Sequence, residues 1–133
     1  MKPSPLIAVP AVLVALGALV AARIHRAETQ WLKAEVARHA PIAAASPARP
    51  RLLVWQIRER GAAVGAQVFD TLIFDESDEI GRPPAQRSEA WRARADARLR
   101  EIDQSQRAPR QDEVFSVRAL GGHWWLLTDT MNG

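Results

Sequence analysis

Hydrophobic and polar positions divide the chain into an apolar start, a mixed helical stretch, a small-residue linker and a patterned remainder. Residues 6–22 carry no charged or polar side chain. As a helix they would be about 25 Å long, just enough to cross a hydrocarbon core of about 30 Å with a thinned boundary. Pro3 and Pro5 suit a helix start, and Pro10 lies one turn inside. The pattern therefore predicts a transmembrane anchor over residues 1–22. Residues 23–40 contain good helix formers and predict a juxtamembrane helix that stops before Pro41. Residues 41–50, with three prolines, predict an extended linker.

From residue 51 the periods change. Residues 51–60 and 67–75 are β-branched and aromatic runs separated by Gly61 and Gly65, which predicts a hairpin. Leu53, Trp55 and Ile57 share one side of the first strand. In the second, Val68, Leu72 and Phe74 compete with Phe69 and Ile73 for the buried face. Residues 76–84 read as a loop. Trp91, Ala95, Leu99 and Ile102 then recur at steps of four, four and three, predicting one helix from about Ala85 or Ser88 to Gln104. Ser88 is its expected N-cap. Arg92, Asp96 and Arg100, spaced i, i+4, read as its solvated face.

Residues 113–120 and 123–130 flank Gly121-Gly122, a two-residue hairpin signal. That loop pairs Ala119 with Trp124 and Val117 with Leu126 on an inward side. It leaves Val114, Arg118, Leu120, Trp125 and Leu127 on an outward side too apolar for ordinary solvent contact. The soluble part, residues 51–133, is thus expected to be a small α+β domain of order β-β-α-β-β, a four-stranded antiparallel sheet with one packed helix. With the stalk helix the order is α-β-β-α-β-β. This is similar to the split ferredoxin-like domains that stand behind a single membrane helix in assembly subunits of bacterial secretion and pilus machines, an analogy of fold alone.

Charge sharpens this picture. Residues 1–50 hold six Lys/Arg against two acids, whereas residues 51–133 hold twelve arginines against thirteen acids. The basic excess is juxtamembrane, where Arg23 and Arg26 can meet anionic lipid. A nucleic-acid module would need its basic stripe on the folded domain, so nucleic acid is not an expected partner. The rival for the first segment is a cleaved signal ending at Val20-Ala21-Ala22, with Lys2 as its basic start. Arg23 and Arg26 directly after the run favour retention. Counting those charges puts the domain in the cytoplasm, while the short basic amino terminus suits export. The expectation is a single-pass protein of a bacterial inner membrane, its domain leaning to the periplasmic side. Sixteen arginines against two lysines fit a GC-rich bacterial genome, and the absence of cysteine excludes disulfides and thiolate chemistry.

Candidate chemistry is sparse. Asp75, Glu76, Asp78 and Glu79 could gather around a hard cation, but Gly81 is misplaced and the distal glutamate of a calcium loop is missing. His123 lacks a nearby nucleophile and orienting acid. Asp129 on the same strand would be about 20 Å away, and Ser116 has no oxyanion-forming turn beside it. His25 and His39 have no carboxylates arranged around them. No residue is assigned to catalysis, a metal or a cofactor. The expected function is a protein-interaction or assembly module, its patch Val114, Arg118, Leu120, Trp125 and Leu127. The alternatives are a small exported hydrolase using His123 with an acid, and an ion-responsive module using residues 75–79.

Overall fold

The computed structural model describes residues 5–61 and 65–132, with side chains from Val12 onward. A first helix, α1, runs Pro5–Ala45. Four strands follow, β1 (Leu52–Gly61), β2 (Gln67–Asp75), β3 (Glu113–Gly121) and β4 (Trp124–Met131). Between β2 and β3 lie two 3-10 turns and two short helices, α2 (Glu89–Arg94) and α3 (Ala97–Arg107). The architecture is α+β, with a four-stranded antiparallel sheet of order β1-β2-β4-β3 and a long amino-terminal helix. Two compact units divide the chain, residues 1–38 and 39–133.

In the first unit the anchor expectation is corrected. Among the described residues, no helix is long and apolar enough to cross a membrane. The side chains of residues 1–11, Lys2 and Pro10 among them, lie outside the described set. The absence of such a helix overturns the single-pass inner-membrane placement. The helix also passes Pro41 and ends at Ala45 rather than stopping at Ala40.

In the second unit, β2 and β4 occupy the centre of the sheet and are buried on both faces. That is why β2 shows no simple alternation: Val68, Asp70, Leu72 and Phe74 face one way, Thr71, Ile73 and Asp75 the other, and all are buried. On one face Ile73 and Leu127 pack with Ile80, Trp91, Ala95 and Leu99. On the other, Trp124 lies against Phe74 at 4.9 Å and Trp55 at 5.9 Å, and the His39 ring is 4.7 Å from Trp55.

Trp91, Ala95 and Leu99 are core as their spacing requires, but they do not belong to one helix. Asp96 adopts an extended conformation and its carboxylate accepts from the Leu99 amide at 2.8 Å, capping α3. Ser88 caps α2 through the Trp91 amide at 3.1 Å. An aspartate competes well for a helix start and poorly for a helix interior, so the segment breaks where Asp96 can cap.

The second correction is the terminal turn. The two loop residues are Gly122 and His123, at φ 59° and 72°, the positive pair that a type I′ turn requires. Gly121 at φ 94° forms part of a bulge, after which Ala119 pairs with Trp125 and Val117 with Leu127. The loop sits one residue later than Gly121-Gly122, and a one-residue slip exchanges the faces of β4. Trp125 and Leu127 therefore join the α2–α3 side, and Trp124 and Leu126 the opposite one.

Asp75, at the end of β2, is fully buried and holds this core together. It accepts from the Ser77 amide (3.0 Å), Ser77 Oγ (2.7 Å), the Ile80 amide (2.9 Å) and Trp91 Nε1 (2.9 Å). Asp75→Ala should lower the unfolding free energy by about 3 kcal/mol or more, because those buried donors lose their acceptor together. Urea denaturation of the full chain checks this, and a loss below about 1 kcal/mol would contradict it.

Candidate functional site

The outward patch expected on the last hairpin does not assemble on one face. Leu127 is 1% exposed inside the α2–α3 core. The Trp125 ring is half-buried over Gly81, so close that a Cβ there would collide with it, and its Nε1 donates to Asp78 at 3.0 Å. Val114 and Arg118 are exposed on the opposite face, and Leu120 lies in the bulge.

The acidic loop is occupied by its own fold. Asp75 is saturated as described, and Glu79 accepts from the Ser88 amide at 2.6 Å. Among the described residues, no group of three or more His, Asp or Glu could hold a metal ion. The ion-responsive alternative thus has its carboxylates committed to turns and caps.

His123 does find an acid, although not Asp129. Its Nδ1 lies 2.9 Å from Asp78 Oδ2, in an open hollow with Trp124, Trp125 and the turn glycines. Asp78 and His123 both have positive φ, and the Asp75 amide donates to the His123 carbonyl at 2.9 Å, locking the two turns together. An imidazole with Nδ1 fixed by a carboxylate is an oriented base. Among the described residues lining the hollow there is no serine, threonine or cysteine to activate, so the pair works as a clamp between turns.

A different place carries perturbed chemistry. Helix α3 covers only part of its face of the sheet and leaves a groove of about 230 Å³. Residues from all four strands and from α3 line it, including Gln56, Phe69, Phe115, Asp129, Arg98 and Glu101. Strand register arranges them: Glu59, Phe69, Asp129 and Phe115 form one row across the sheet, with Phe69 and Phe115 flanking Asp129. Gln56, Thr71, Leu127 and Val117 form a parallel row. The slip in the terminal turn is what places Asp129 on this side.

Asp129 differs from the buried carboxylates around it. Asp70 accepts from Arg58 Nε (2.7 Å), Arg60 Nε (3.3 Å) and Thr128 Oγ1 (2.8 Å), and Asp103 from Arg87 (2.7 Å) and Arg107 (3.0 Å). Asp129 Oδ1 is buried without a donor. Burial, with the hydrogen-bonded Glu113 carboxylate beside it, pushes the Asp129 carboxyl up to about 6. The charged groups around it are Glu113 on β3, Glu59 on β1, and Arg98 and Glu101 on α3, while β2 contributes Phe69 and Thr71. Arg98 is hydrogen-bonded to Gln56 across the groove mouth. A perturbed carboxylate in a cleft marks a candidate site. Composition could not find it, because Asp129 reads as one more polar residue on a strand until the register is known.

The raised value has a direction in stability. The folded state holds the Asp129 proton more tightly than the unfolded chain does, so this group favours folding most in acid. That contribution is lost as pH rises from the ordinary aspartate range through about 6. Asp129→Asn should therefore stabilise the protein at pH 7.5 by about 1 kcal/mol, after allowance for partial exposure, with the gain gone by about pH 4. Paired denaturation curves at the two pH values test this, and a variant less stable than the parent at pH 7.5 would contradict it. Compared with known proteins, the chain matches no protein-family model, no curated protein and no solved structure.

Proposed function

We propose that the unit of residues 39–133 is a non-enzymatic protein-interaction module whose docking site is the groove beside α3. The observation that carries this reading is Asp129, a carboxylate left without a donor for one buried oxygen while neighbouring buried carboxylates are fully paired. A group that destabilises its own fold in an open groove is characteristic of binding surfaces, which need unpaired polarity for a partner to satisfy. The groove suits an extended segment, since all four strands line it and Gln56, Arg98 and Glu101 at its border are exposed.

Catalysis is the weaker reading. Thr71 and Ser105 are the hydroxyls of the groove, and neither is hydrogen-bonded to a base among the described residues. The oriented base, His123, lines a separate hollow with Asp78.

The chain has no cysteine, so single cysteines can carry a cross-linker without background. Gln56→Cys stands at the groove border, and Ser116→Cys is exposed on the opposite sheet face. Photo-cross-linking in cells should give one adduct of defined mass from position 56, absent from position 116 and reduced at least about fivefold by Asp129→Asn. Equal labelling from both positions, or an adduct indifferent to Asp129→Asn, would count against the groove.

A further inference from the structure

We propose that the groove seats an arginine or lysine side chain of the protein partner, its cationic head against Asp129 between the rings of Phe69 and Phe115. This rests on the interaction reading above and names the chemistry the partner must present. Three independent features converge on it. The first is charge: Glu59, Glu101, Glu113 and Asp129 surround this end of the sheet, and among the described residues neither Asp129 nor Glu113 is paired with a basic side chain. Arg98, which lines the border, already has Gln56 as a hydrogen-bond partner.

The second feature is the aromatic pair. Antiparallel register puts Phe69 and Phe115 directly opposite Asp129 on its two neighbouring strands, and all three line the groove. Aromatic rings attract a cation through their faces, and a carboxylate between two rings supplies both the charge and the aromatic part of a cation site. The third is the wall. Ile102 and Leu127 line the same groove and offer apolar surface to the methylene stem that an arginine or lysine carries behind its charge. A carboxylate-bearing partner would meet repulsion from the four acids, and a purely apolar segment would cover the Asp129 carboxylate without offering it a hydrogen bond.

The test uses the full-length protein and three capped pentapeptides, glycine at every position except a central arginine, lysine or citrulline. Citrulline keeps the shape of arginine without its charge. Amide chemical shifts followed by NMR at pH 7.5 should move saturably with the arginine and lysine peptides, at residues of the groove. The citrulline peptide should bind at least about tenfold more weakly. Asp129→Asn should weaken the arginine peptide about tenfold and leave the citrulline peptide unchanged. Phe115→Leu, which removes the ring and keeps the bulk, should weaken the arginine peptide about threefold. Equal binding by all three peptides overturns the cation site and leaves a docking groove. Binding by none, while the position-56 adduct still forms, overturns the cation site alone. Binding by none together with no adduct overturns both.

Discussion

The buried carboxylate of Asp75 organises the unit of residues 39–133. It ends β2 and bonds to the turn that follows, through Ser77 and Ile80, while it also fixes the indole of Trp91 in the core. A carboxylate so enclosed is tolerated only because every bond it makes is to a donor that would otherwise be orphaned as well. From that anchor the connection between the hairpins takes its path. Arg87, 4% exposed, then ties the first 3-10 turn to α3 by bonding to the carbonyls of Glu79 and Ile80 and to Asp103. The stacking of Arg87 over Trp91, at 5.1 Å, closes the circuit.

The same anchor positions the terminal hairpin. The Asp75 amide donates to the His123 carbonyl, and Asp78, three residues on, accepts from Trp125 and pairs with His123. These bonds hold His123 at positive φ and so fix the turn on Gly122-His123. Which face Asp129 occupies follows from that turn, six residues away in sequence. A structural clamp at one end of β4 thereby decides what chemistry appears at the other.

Much of the fold was legible in the sequence for clear physical reasons. The four strands follow from β-branched and aromatic runs, and the core positions Trp91, Ala95 and Leu99 from helical spacing. The break at Asp96 was hidden because alternating charges at i, i+4 look like a helix surface, although an aspartate can equally cap. The glycine pair misplaced the last turn, because two glycines suit a type I′ loop as well as a glycine and a histidine held by long-range bonds. That single residue scattered Val114, Arg118, Leu120, Trp125 and Leu127 over the sheet and hid Asp129 among polar strand positions. The apolar amino-terminal run read as a membrane span by composition. Among the described residues, no helix is long and apolar enough to be one. The groove itself has no sequence signature, since its rows come from pairing between strands distant along the chain.

Asp129 sits in a destabilising environment that, on the proposed reading, a bound cation relieves. Its side-chain carboxyl can be followed directly by carbon-13 NMR across a pH titration, with Glu113 observed alongside because the two side chains are hydrogen-bonded. The free protein should show a midpoint near 6, falling toward the ordinary aspartate range when the arginine pentapeptide is present in excess. A midpoint near 4 in the free protein, unmoved by the peptide, would contradict it.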